Sequence, residues 1–136
     1  MRGGWLHNEV LVARLEKQFQ KLGIRAVREF PVRVGTRHGF VDLYVEGTGW
    51  KLACEAETSP RRIPWDISKA EAICAPLAVI TPTYDVAQAC RNLIRRERGH
   101  GPGKLPVFVL TVGAVDQWFS NCFRLISMPN QGSKIN

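Results

Sequence analysis

The stretch Gly39-Phe40-Val41-Asp42-Leu43-Tyr44-Val45-Glu46-Gly47-Thr48-Gly49-Trp50-Lys51-Leu52-Ala53-Cys54-Glu55-Ala56-Glu57 decides the fold. It contains two runs rich in β-branched and aromatic residues, Phe40 to Glu46 and Trp50 to Glu57, on either side of a glycine-rich turn. That pattern specifies a β-hairpin. With Thr48-Gly49 as a two-residue turn, reflection pairs Gly47 with Trp50, Glu46 with Lys51, Tyr44 with Ala53 and Asp42 with Glu55. Val41, Leu43 and Val45 then share an apolar face with Leu52, Cys54 and Ala56. The same register sets Glu46 against Lys51, an opposite-charge pair.

On the other face, Asp42 and Glu55 stand with Cβ atoms ~5 Å apart. Glu57 lies two residues beyond Glu55 and points the same way. Three carboxylates on one patch of sheet repel, and a divalent cation with oxygen ligands offsets that repulsion. Mg²⁺ is the ordinary choice where a phosphate completes the shell. The competing reading is a solvated acidic face. Against it, the chain has only 12 acidic residues to 19 basic ones, and Glu55 and Glu57 sit inside a strand, away from any loop.

Working outward, Leu11, Leu15, Phe19 and Leu22 recur at helical spacing, which predicts a helix over about 6–22 ended by Gly23. Ile24 to Val34 reads as extended, and Gly35 to Gly39 as a turn. After the hairpin, Thr58 to Pro64 reads as a loop, Trp65 to Cys74 as a helix and Leu77 to Ile80 as a short buried strand. A long helix reaches Arg98 with Val86, Cys90 and Leu93 inward. Then come a strand from Leu105 to Val112, a short helix from Ala114 to Ser120 and a last strand from Cys122 to Ser127. The three early strands have connections too short for anything but antiparallel pairing. The fold class is therefore α/β, a mixed central sheet flanked by helices, in one domain over 1–128 with a flexible tail over 129–136.

The composition, 45% hydrophobic and 23% charged, excludes a disordered or fibrous chain. No apolar run approaches the ~20 residues that cross a bilayer, and the first residues lack the apolar core of a secretory signal, so a cytoplasmic protein without membrane contact is expected. A net charge of +7 and a pI of 9.7 favour a polyanionic partner, nucleic acid first. Cys54, Cys74, Cys90 and Cys122 have no metal-ligand or redox spacing and read as reduced core thiols. The scattered His7, His38 and His100 do not suggest a metal cluster.

The run Gly39-Phe40-Val41-Asp42-Leu43, a hairpin, then Cys54-Glu55-Ala56-Glu57-Thr58 resembles the PD-(D/E)XK nuclease superfamily. The helix before it and the helix, strand and helix after it match the restriction-endonuclease-like αβββαβ core, over about residues 5–98. The size and layout are similar to small Holliday-junction resolvases, and the Glu-Ala-Glu-Thr run is similar to members found in mobile elements and restriction systems. The resemblance implies metal-dependent endodeoxyribonuclease activity with Mg²⁺, Mn²⁺ substituting. It makes Asp42, Glu55 and the carbonyl of Ala56 metal ligands. Glu57 stands where the family has lysine, and it becomes an extra ligand or base. Lys69, one turn into the next helix, could supply the missing cation, the rival being an ordinary exposed lysine. Glu9 could complete the site from the first helix, the rival being a solvated acid.

DNA is the implied partner. Arg61 and Arg62 directly follow the site strand, and Arg33, Arg37 and His38 flank the turn before Asp42. Arg91, Arg95 and Arg98 form a helical stripe whose ordinary fate is a solvated face. Trp65 could stack on a base, though core packing is its commoner role. A homodimer is compatible with cutting both strands of a duplex. The departure at position 57 leaves a second reading open, a catalytically inactive nucleic-acid-binding module on the same fold.

Overall fold

The computed structural model describes residues 3–98, 104–121 and 123–124. Its elements run α1 (Gly3–Lys21), β1 (Ala26–Val34), β2 (Arg37–Gly47), β3 (Trp50–Ala56), a 3₁₀ turn (Pro60–Arg62), α2 (Ile63–Ala72), β4 (Leu77–Thr81), α3 (Tyr84–Arg98), β5 (Val107–Thr111) and α4 (Val115–Asn121). The five strands form one sheet in the order β1-β2-β3-β4-β5. β1, β2 and β3 pair antiparallel, while β4 joins β3 and β5 joins β4 in parallel. The expected mixed sheet flanked by helices is what forms. No helix among the described residues is long and apolar enough to cross a membrane.

Each face of the sheet has its own core. On one, Leu11, Leu15 and Phe19 of α1 and Val115, Trp118 and Phe119 of α4 pack on Leu43, Val45, Leu52 and Cys54. On the other, Ile63 and Ala70 of α2 and Cys90 of α3 pack on Val41, Tyr44, Ala53 and Val79. α1 ends as its sequence requires. Gly23 takes a φ of +73°, and the amides of Gly23 and Ile24 return to the carbonyls of Gln20 and Phe19. This Schellman closure turns the chain so that Ile24 packs on the first core. Leu22, expected on the buried stripe, sits within that closure just before Gly23 and is exposed.

Three expectations are corrected. Gly35 to Gly39 is not one long turn: Val34 pairs with Arg37 across Gly35-Thr36, and His38 and Gly39 are strand residues paired with Arg33 and Val32. The proline-rich Thr58–Pro64 is not all loop, because Pro64 lies in the first turn of α2, where its missing N–H has no partner to lose. Phe123 and Arg124 are helical, and Phe123 is buried against Phe19, so a last strand over Cys122–Ser127 does not form there. The rest of that segment, and the tail over 129–136, lie outside the described residues.

The hairpin register is the predicted one from Gly47↔Trp50 to Leu43↔Cys54. One detail differs. Val41 belongs to the α2-side core, whereas Leu43 belongs to the α1-side core. Strict alternation forbids that over a two-residue step. The cause lies next door, where Glu29 adopts a φ of +53° and the Glu29–Asp42 pair drops out of the β1–β2 ladder. Across this distortion β1 also changes sides, from Arg28, which reaches α1 residues, to Phe30, which stacks on Tyr44. The switch falls on Asp42.

Candidate active site

The β2–β3 ladder stops at Leu43↔Cys54, one pair short of Asp42 and Glu55. Beyond that point carboxylates replace carbonyls as acceptors. The amide of Ala56 donates to Asp42 Oδ2 at 2.9 Å, and the amide of Asp42 donates to Glu55 Oε1 at 3.3 Å. Each acid thus grips the opposite strand's backbone, which explains how the two come together at a site where like charges repel. They line one cavity of about 340 Å³ at the open end of the hairpin, together with Ala56, Glu57, Asp66, Lys69, Trp65, Arg37 and Arg62.

Lys69 is not an exposed helix lysine. Only 3% of it is exposed, and Nζ lies 2.6 Å from the carbonyl oxygen of Phe40, to which it donates, and 2.8 Å from Glu55 Oε2. α2 carries it there because Ile63, Ile67 and Ala70 seat the helix on the sheet, turning the Asp66 and Lys69 edge down over the strand ends. Gly39 makes room: a Cβ at this position would lie 2.7 Å from Cζ2 of Trp65 and 3.3 Å from Cδ of Lys69.

Glu55 is buried, and burial pushes its carboxyl up to about 8, with the Asp42 charge adding and Lys69 opposing. Glu57 is also raised by burial, offset chiefly by a hydrogen bond from Asp66. Asp66 is 1% exposed, and its oxygens accept no hydrogen bond from any donor; Lys69 Nζ is 3.7 Å away. Burial first, then the bond to Glu57, push it up to about 11. A carboxyl and a carboxylate side by side can bond only by sharing a proton, and the upward shift at Asp66 favours its neutral form.

The oxygen-only donor set suits a hard cation such as Mg²⁺, which is ordinarily held by one or two carboxylates, with water and phosphate completing the shell. Asp42, Glu55 and Ala56 line the cavity together and could offer such oxygens. Among the described residues no group of three or more His, Cys, Asp or Glu side chains is placed to hold a metal ion. Asp42 and Glu55 accept instead from backbone amides. The three acids of the hairpin meet at one cavity without forming a three-acid metal cluster. No family model and no curated protein matches the chain.

The remaining candidates divide. Arg37 and Arg62 line the cavity, whereas Arg61 faces a separate shallow depression beside Pro64 and Leu93. Glu9 is exposed and ion-paired to Arg28, and its neighbour Asn8 lines the cavity instead. Arg33 lies 3.4 Å from Nε2 of His38. Arg91 donates to the Val109 carbonyl at 2.8 Å and to Gln88, covering the outer edge of β5. Arg95 bonds Asn92, and the side chain of Arg98 lies outside the described residues. Trp65 is half-buried and belongs to neither core. Of the cysteines, Cys54 and Cys90 are buried and free as expected; Cys74 is exposed, on a residue of φ +54° after α2.

Three polar cavity residues, Asn8, Glu29 and Asp66, were not singled out by the sequence. Asp66 occupies the first turn of α2, where an acid ordinarily serves the helix dipole from the solvent. The signal that separates it from that role is its spacing: it lies three residues before Lys69, so a buried Lys69 brings Asp66 inside with it.

Proposed function

We propose that the cavity is the active site of a Mg²⁺-dependent endodeoxyribonuclease of the restriction-endonuclease-like kind, with Mn²⁺ able to substitute. The observation that carries this reading is Lys69, a fully buried cation held against Glu55 and the Phe40 carbonyl beside Asp42. Two acids and a lysine then stand together, with the lysine supplied by α2 because position 57 is glutamate. Asp42 and Glu55, with the Ala56 carbonyl, are the residues that would hold the ion. Bound there, it would hold the scissile phosphate and lower the pKa of the attacking water.

The chain's own groups supply the rest. Lys69 is placed to steady negative charge developing on the phosphate. Glu57, its carboxyl raised by burial, is placed to accept a proton from the attacking water. Arg37 and Arg62 at the cavity wall neutralise the approaching backbone, in keeping with the net charge of +7. Branched, duplex and single-stranded DNA are to be compared with Mg²⁺ and Mn²⁺. Wild type is expected to cut at least one, and Asp42→Ala or Glu55→Ala to bind without cutting. Full activity in either variant would remove the proposal.

A second reading has its own support. Asp42 and Glu55 are already engaged with backbone amides, no three-acid group is poised for a metal among the described residues, and the motif lysine is absent from position 57. A nucleic-acid-binding module without catalysis would show steep salt dependence and no cleavage with any divalent ion.

A further inference from the structure

Arg37 is the cavity arginine that stacks on a ring. Arg28, Arg91 and Arg95 give their donors to Glu16, Val109 and Asn92. The Arg37 side chain makes no hydrogen bond or ion pair among the described residues, yet its guanidinium carbon stands 3.8 Å from the centroid of the Trp65 ring. Stacking occupies the flat face of a guanidinium and leaves its in-plane N–H fork free. That fork is the part that matches two phosphate oxygens.

Trp65 is not part of the core packing. It belongs to neither apolar cluster, and its ring lies so close to Gly39 that a Cβ there would come within 2.7 Å of Cζ2. The ring is therefore wedged between the β2 backbone and Arg37, and both residues line the cavity of Asp42 and Glu55. We infer that the Arg37–Trp65 stack is a phosphate-binding arm, with Trp65 the positioning residue that aims the Arg37 fork at the backbone of a nucleic-acid strand entering the cavity. This rests on the nuclease reading of that cavity.

A double-mutant cycle on strand affinity tests it, with a short single strand and a duplex, and Ca²⁺ in place of Mg²⁺. Arg37→Ala and Trp65→Leu are each expected to weaken binding ~10-fold, and the double variant no further, because each removes the same charge-assisted contact. Trp65→Phe keeps a ring face and is expected to stay within ~3-fold of wild type. Losses that multiply in the double variant would give Trp65 a strand contact of its own and overturn the inference. So would a Trp65→Leu variant that binds like wild type. A mononucleotide competing as well as the strand would overturn the nucleic-acid assignment. If wild type binds no strand, the nuclease reading falls too; if wild type binds and only the coupling is missing, this inference alone falls.

Discussion

α1 and α2 lie on opposite faces of the same sheet and bury very different things. α1 turns Leu11, Leu15 and Phe19 inward and leaves its charges outside, with Arg28 of β1 tied to Glu9 and Glu16 along its flank. α2 turns Ile63 and Ala70 inward but also takes Asp66 and Lys69 below 4% exposure. Hydrophobic burial explains the first helix completely. It does not explain the second, since a buried carboxyl with no donor costs free energy unless something else requires it. The difference marks α1 as support and α2 as the helix that builds a site.

Stability measurements can break that contrast. Phe19→Ala should cost ~3–5 kcal/mol in denaturant unfolding, because Phe19 is fully buried against Phe119 of α4 and Phe123 beyond it. A loss under ~1 kcal/mol would deny α1 its supporting role. Lys69→Met should cost about 3 kcal/mol at pH 8, since it strands the Glu55 carboxylate, and distinctly less at pH 5, where Glu55 takes up a proton. An equal cost at both pH values would show that Lys69 acts through packing alone.

The metal-free wild type carries the same signature in weaker form. Glu55 has its folded-state pKa raised to about 8 from an unfolded value near 4.5. Between those values the folded state holds a proton that the unfolded state has lost, so stability is fullest below the unfolded pKa and declines as pH rises toward 8. Thermal melting of metal-free protein should fall across that window, and Mg²⁺ or Mn²⁺ should restore more at pH 8 than at pH 5. A flat profile would contradict the burial of Glu55. The sign reverses for Asp66→Asn. Burial pushes the Asp66 carboxyl up to about 11, so at neutral pH it takes up a proton on folding; Asn needs none, and the variant should be more stable than wild type, with the gain shrinking as pH falls toward the ordinary carboxyl range. A large loss would mean that Asp66 is ionised in the fold.

The hairpin was legible because a side-chain period of two and a two-residue turn leave one register, and Gly47↔Trp50 to Leu43↔Cys54 follows. The helix and strand order was legible for the same reason, through apolar spacing. The face switch at Val41 was not, because it comes from a positive φ at Glu29, a residue type that gives no warning of it. Gly39 looks like a turn glycine in sequence, and its role appears only once Trp65 is set across β2. Arg91 reads as a free cation on a helix stripe until the edge of β5 is placed beside it. In each case the deciding contact is between elements far apart in the chain, and local periodicity carries no trace of it.

Mn²⁺ soaked into crystals and located by its anomalous scattering addresses the centre of the account. The expected result is an ion in the hairpin cavity, about 2.1 Å from an oxygen of both Asp42 and Glu55, with Lys69 still beneath α2. A cavity that stays empty of Mn²⁺ while the protein binds the ion elsewhere or not at all would contradict it.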